Sequence, residues 1–235
     1  MKIKKIIKKG INCLGLDLRK YRKETDELKW LEHYDIKTVI DVGANTGQFA
    51  REIRGRLPKS KIYSFEPINE CYEELINHMS GDENFQAFNL ALGDKNEKSE
   101  INKCVYSPSS SLREMAVLHE EMFPHTRGGE KQEIALKRLD DVFEKDPLRK
   151  NILIKIDVQG CEDKVIKGGL KILSEAKVAL IETSFFELYK DQPQFDDIYE
   201  TMKRLGFHYC GRIHQKMNPS TGEILFEDAI FIKNP

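Results

Sequence analysis

With 235 residues, 40% of them hydrophobic and 33% charged, the chain has the length and balance of one sizeable globular domain. A formal net charge of −1 argues against a dedicated nucleic-acid binder, and no apolar run approaches the roughly 20 residues of a membrane span. Five scattered cysteines (Cys13, Cys71, Cys104, Cys161, Cys210) include no C-x-x-C pair, which reads as a reduced, cytoplasmic chain without a disulfide scaffold or zinc module.

The charge is unevenly spread. Residues 1–23 hold nine Lys and Arg against one acid, Asp17, so this segment is +8 and the remainder −9. Within it Ile3, Ile6, Ile7, Ile11, Leu14 and Leu18 recur at helical spacing, giving a basic amphipathic helix. Two readings fit: a helix capping the domain with its lysines in water, or a peripheral patch for the anionic inner face of a membrane. The N-terminus lacks the continuous apolar core of a secretory signal. Residues 1–29 are therefore taken as a basic helical segment and 30–235 as the main domain.

From Thr38 onward β-branched apolar runs alternate with amphipathic stretches. Strands are predicted at 38–42, 61–65, 85–90, 152–158 and 178–182, and helices at 47–55, 69–79, 162–168 and 195–205. That rhythm implies an α/β fold with a parallel sheet covered on both faces. It fails over 98–138, where predicted strands at 98–105 and 133–137 flank a Ser-rich loop carrying His119 and His125. Long insertions of this kind commonly serve as substrate lids. At the C-terminus, runs at 207–213 and 228–233 separated by Asn218-Pro219-Ser220-Thr221-Gly222 predict an antiparallel hairpin.

The first strand runs out as Val39-Ile40-Asp41-Val42-Gly43-Ala44-Asn45-Thr46-Gly47, and the second ends on Glu66, 19 residues after Gly47. Glycines allow close approach of a ligand, and the acid accepts ribose hydroxyls. The pattern is not G-x-G-x-x-G: an acid stands at the strand end, where it would repel a pyrophosphate but suit a cationic, amine-bearing ligand. S-adenosylmethionine meets that demand. The third strand, 85–90, carries Asn89 and leads into Leu92 and Asp94, where such sheets pass beside the adenine.

The second informative run is Ile154-Lys155-Ile156-Asp157-Val158-Gln159-Gly160-Cys161-Glu162. Lys155 and Asp157 share one face at period two, and charges in so apolar a strand need partners or chemistry. Asp157 is placed at the reaction edge, with Lys155 one step deeper as electrostatic support. Glu182 ends the next strand and Asp228 opens the last, so three carboxylates converge there. They are read as a source of a general base, Asp157 or Glu182, or as ligands of a divalent cation. His119 and His125 are weaker candidates, read as exposed loop histidines.

Together with Asn89-Leu90-Ala91-Leu92-Gly93-Asp94, Ser109-Ser110-Ser111-Leu112 and Leu139-Asp140-Asp141, these runs resemble the FkbM family of S-adenosylmethionine-dependent methyltransferases over roughly residues 30–233. Cys161 stands where the resemblance would put alanine. The resemblance implies the class I methyltransferase fold, a Rossmann-like seven-stranded sheet ending in an antiparallel hairpin. It further implies O-methylation of a sugar or glycan hydroxyl, with a natural-product hydroxyl as the alternative acceptor. Under it Asp41, Gly43, Asn45 and Gly47 line the methionine end of the cofactor, Glu66 holds the ribose, residues 89–94 flank the adenine, and Asp157 lies nearest the methyl group. Three rivals are disfavoured. A nicotinamide oxidoreductase lacks its glycine fingerprint. A nucleic-acid base methyltransferase lacks an aromatic clamp after Asp157. A membrane-recruited binding module leaves the carboxylate edge unexplained.

Overall fold

The computed structural model describes residues 27–146 and 148–233. The predicted basic helix at 1–23 lies outside the described residues. A 3-10 turn at Lys29–Tyr34 leads into β1 (Thr38–Val42), α1 (Gln48–Arg56), β2 (Lys61–Phe65), α2 (Asn69–His78) and β3 (Phe85–Phe88). Then come β4 (Ala91–Leu92), β5 (Glu97–Cys104), α3 (Val117–Met122), β6 (Gly129–Lys137) and α4 (Leu139–Val142). The second half is β7 (Ile152–Ile156), α5 (Glu162–Gly168), α6 (Leu170–Glu175), β8 (Ala176–Ser184), α7 (Phe195–Arg204), β9 (Phe207–Met217) and β10 (Ile224–Lys233).

The main sheet has the order β3-β2-β1-β7-β8-β10-β9, parallel except for β10, which runs antiparallel to both neighbours. This is the α/β architecture with a C-terminal hairpin that the strand rhythm predicts. β1 is buried at every position and β7 at all but Lys155, as central parallel strands covered on both faces require. Ile40, Val42, Ile154 and Ile156 pack into one apolar layer, and Val39, Leu153, Val178 and Leu180 into the other. The second layer also takes Leu28 and Leu31, so the chain just ahead of β1 belongs to the core.

Several boundaries differ from expectation, most clearly at the third strand and the hairpin. The third strand stops at Phe88 because the chain turns: Asn89 Nδ2 donates to the carbonyls of Glu66 (3.0 Å) and Pro67 (3.2 Å). Ala91–Leu92 then joins a separate three-stranded sheet, β4-β6-β5, built with the insertion. The hairpin strands extend toward the turn beyond 207–213 and 228–233, to Phe207–Met217 and Ile224–Lys233: the added end of β9 is exposed, and the added end of β10 continues its alternating burial through Leu225 and Glu227. Among the described residues no helix is long and apolar enough to cross a membrane.

Candidate active site

Parallel pairing sets the floor of the site. Asp41 on β1 is in register with Lys155 on β7 and Ser64 on β2. Side chains alternate along a strand, so Asp41 and Lys155 project into the same layer as Val39 and Leu153, below α1. Asp41 is wholly buried, and its Oδ1 has no partner. Burial pushes its carboxyl up to about 6 despite Lys155 nearby. Lys155, whose side chain is 16% exposed, donates from Nζ to Oδ2 of Asp157 at 3.0 Å and lies 5.7 Å from the Phe49 ring. Burial works against its charge, but Asp157, Asp41 and Asp228 outweigh it and hold the ammonium above its ordinary range.

The β1–α1 loop turns through positive φ at Gly43 (79°), Asn45 (46°) and Gly47 (86°). At Gly43 the turn is also a close approach: a Cβ would stand 1.9 Å from the carbonyl oxygen of Asp157, so only glycine fits. Glu66 secures the loop. Its Oε2 accepts from Asn45 N and its Oε1 from Ile68 N, each at 2.8 Å, and each oxygen keeps a lone pair for a further donor. Burial raises Glu66 to about 7, although both amides favour its charge.

These elements enclose a two-chambered cleft. One chamber, with about 680 Å³ of empty space, is bounded by Phe65, Glu66, Leu90, Leu92, Ile101 and Leu112. The other, about 820 Å³, is bounded by Asp41, Phe49, Lys155, Leu180, His214 and Asp228. Gly43, Asn45, Pro108 and Asp157 line both, so the chambers meet at Asp157. The insertion forms a wall between them. Ser107 Oγ accepts from Asn45 Nδ2 at 3.1 Å, with Pro108 beside it.

Beyond β7 the chain turns at Gln159 (φ 56°), whose amide organises the carboxylate edge. Its Nε2 donates to Asp157 Oδ1 (2.8 Å) and Glu182 Oε1 (2.9 Å), and its Oε1 accepts from the Tyr189 hydroxyl at 2.8 Å. Glu162 Oε1 accepts from Val158 N and Gly160 N, both at 3.1 Å, and burial raises Glu162 to about 7. Asp228 is the cross-strand partner of Glu182. Burial, then the Asp157 charge, raises both carboxyls above their usual range.

Several expectations need correction. Asn89 and Asp94 do not line the cleft: Asn89 holds the β2 exit, and Asp94 pairs with Lys167 at 3.0 Å, which draws its pKa down. Leu92, 2% exposed, does line it. Gly47 is spent on the N-cap of α1, against Leu75. Glu182 approaches Asp157 only through Gln159 and borders neither chamber. The carboxylates are spaced by that amide, and among the described residues no three Asp, Glu, His or Cys side chains group as a metal site. His119 is not an exposed loop residue; it is buried on α3 against Tyr189 and Phe123, and burial lowers its pKa to about 4. His125 is exposed beside Tyr106. Sequence reasoning assigned no role to Gln159, Phe49, Ser107 or His214, whose contacts cross between distant elements.

The methyltransferase FkbM domain signature matches residues 41–209. The 2-O-methyltransferase NoeI of Sinorhizobium fredii is 28% identical over 211 residues, covering 82% of this chain and 86% of that protein. Methyltransferase sdnD of Sordaria araneosa is 28% identical over 165 residues, 55% of this chain and 59% of that one. The crystal structure of methyltransferase FkbM from Methylobacillus flagellatus superimposes with a TM-score of 0.50 at 13% identity, covering 84% of this chain. This chain spans only 44% of that protein's length, and the likeness speaks for the fold.

Proposed function

This chain belongs to the FkbM methyltransferase family, with S-adenosylmethionine as methyl donor, and on that premise we propose that it methylates a hydroxyl of a sugar or glycan. The residues fit the cofactor. Asp41 lines the second chamber, and its carboxyl, with no hydrogen-bond partner on Oδ1, is an acceptor for an ammonium group. Glu66 keeps lone pairs for two ribose hydroxyls. Leu90, Leu92 and Phe65 supply an apolar wall for a base. When bound, the cofactor supplies an electrophilic methyl group on a sulfonium centre.

The observation that carries the acceptor assignment is the group of hydrogen-bonding side chains, Lys155, Asp157, His214 and Asp228, set among apolar residues in the second chamber, which adjoins the first at Asp157. Those groups can hydrogen-bond the hydroxyls of a sugar, while Leu28, Phe49 and Leu180 offer an apolar surface to a ring face. The likeness to the 2-O-methyltransferase NoeI supports the same reading. Positioning then supplies much of the acceleration: the Gly43 turn keeps the two chambers in register, and Lys155 and Gln159 fix Asp157 where they meet.

The test is S-adenosylhomocysteine release on a panel of p-nitrophenyl glycosides, with cofactor affinity from calorimetry. Asp157→Asn is expected to abolish turnover and leave the cofactor Kd within a few-fold. Full activity in that variant removes Asp157 from the mechanism. The +8 segment at 1–23 adds recruitment to an anionic membrane surface, with a lipid-linked glycan as acceptor. Equal co-sedimentation of the intact chain and a 1–23 deletion with anionic vesicles would refute that part alone.

A further inference from the structure

Methylating a hydroxyl requires a group that takes its proton, and the carboxylates of the junction are poorly disposed to do so. Asp157 has Lys155 Nζ 3.0 Å from Oδ2 and Gln159 Nε2 2.8 Å from Oδ1. Each oxygen already accepts a hydrogen bond, so an acceptor hydroxyl would have to compete for the lone pairs left. Glu182 borders neither chamber, and Asp41 forms a wholly buried floor.

The second chamber holds another group. His214, on β9, lines it, and its Nδ1 lies 3.2 Å from Oδ2 of Asp228 on β10. The Asp228 side chain is 26% exposed and that of His214 is 69% exposed, so a sheltered carboxylate grips one nitrogen of an accessible imidazole. With the proton on Nδ1, directed at Asp228, Nε2 keeps a lone pair. Nε2 lies 3.3 Å from Oε2 of Glu27, just ahead of the first 3-10 turn. The Glu27 side chain is 48% exposed, and an exposed partner of this kind is held weakly. The charged groups facing the imidazole are thus Asp228 and Glu27 directly, with Lys155, Asp157, Asp41 and Glu52 around the same chamber.

We propose that His214 is the general base of the transfer and Asp228 its positioning residue, with the acceptor hydroxyl displacing Glu27 at Nε2. The inference rests on the methyltransferase reading above. The acceptor oxygen forms a bond to the methyl carbon as the bond from that carbon to sulfur breaks, its electron pair returning to sulfur. The hydroxyl proton passes to Nε2, and the imidazolium, bridged to Asp228, later releases it to solvent.

Two-bond proton–nitrogen correlation spectra of the full chain saturated with S-adenosylhomocysteine decide the point without an acceptor. His214→Gln assigns the resonance. The expected result is a dominant Nδ1–H tautomer with a bare Nε2, which gives way to a mixture in Asp228→Asn. A dominant Nε2–H form in the unmodified chain, or tautomer populations unmoved by Asp228→Asn, overturns the assignment. On whichever p-nitrophenyl glycoside the unmodified enzyme turns over, His214→Gln is expected to lower kcat about 10²–10⁴-fold and remove the acidic limb of the pH profile. Its cofactor Kd stays within threefold. Activity within threefold of the unmodified enzyme, or an intact acidic limb, overturns the role of His214. Failure of the unmodified chain to bind S-adenosylmethionine or S-adenosylhomocysteine is a different outcome, since it refutes the methyltransferase reading itself.

Discussion

Glu66 makes cofactor binding a proton-linked event. Its carboxylate accepts one amide on each oxygen, and burial raises its pKa to about 7. A proton on either oxygen occupies the lone pair that a ribose hydroxyl needs, so the cofactor selects the ionised form. One unit below the pKa only about a tenth of the carboxyl is ionised, and above it nearly all, so the penalty at pH 6 is about 1.4 kcal/mol relative to pH 8. The sign is fixed: affinity rises as pH increases through 7, with Kd about tenfold weaker at pH 6 than at pH 8. Asp41, raised to about 6, adds a smaller loss at the acid end. Calorimetry with S-adenosylhomocysteine in buffers of differing ionisation enthalpy measures both the Kd and the protons released. Glu66→Gln isolates the effect. Its amide group turns a donor toward one of two backbone N–H groups, so affinity falls and most of the pH dependence disappears. A flat Kd between pH 6 and 8 in the unmodified chain, or an unchanged slope in Glu66→Gln, would refute the linkage.

Three further outcomes are expected. Gly43→Ala places a methyl group 1.9 Å from the Asp157 carbonyl oxygen at a φ of 79°, so cofactor binding, read by calorimetry, falls below detection while the chain loses thermal stability. Glu162→Gln stabilises the protein at pH 8, because both backbone donors are received by Oε1, which glutamine retains, while a buried charge is removed. Since the Glu162 pKa is raised to about 7, the folded state holds its proton more tightly; the native chain loses stability as pH rises from about 4.5 to 7, and the variant gains about 1–3 kcal/mol in denaturant unfolding at pH 8 but little at pH 5. Tyr189→Phe removes the hydroxyl whose one proton is shared between Gln159 Oε1 (2.8 Å) and the Ser109 carbonyl (3.0 Å), costing about 1–2 kcal/mol of stability and lowering kcat more than cofactor affinity.

What could be read from the sequence is what local pattern encodes. The run Thr38–Val42 announces itself by β-branched residues breaking into glycines, and the structure ends the strand at the residue expected. Lys155 and Asp157 stand out because charges interrupt an apolar strand, and they pair across the two-residue repeat. Positions that depend on where the chain turns next were harder. Asn89 and Asp94 lie in a run of the right composition, yet the turn after Phe88 directs one to backbone carbonyls and the other to Lys167. His119 looks exposed in a polar, Ser-rich insertion, but tertiary packing buries it against Tyr189. Gln159 and His214 carried no local signal, since Glu182 and Tyr189 approach Gln159 from β8 and the segment after it, and Asp228 approaches His214 from β10.

The charge balance of the junction bears on turnover as well as binding. Lys155 is a single buried ammonium facing Asp41, Asp157 and Asp228, and its own raised pKa shows that the surroundings are net negative. Two of those acids, Asp41 and Asp228, are raised by burial and by the Asp157 charge, as they must be where one cation cannot neutralise three acids. A cationic ligand seated there lowers the energy of every ionised carboxylate, whereas a neutral ligand of the same shape does not. Methyl transfer converts a sulfonium into an uncharged thioether, so the electrostatic part of the attraction falls once the reaction is complete. The acids that favour loading of the donor therefore also favour release of its product, and Asp41→Asn should weaken binding of S-adenosylmethionine by a larger factor than that of S-adenosylhomocysteine. Equal losses for the two, measured by calorimetry at pH 8, would show that Asp41 acts on the amino group alone.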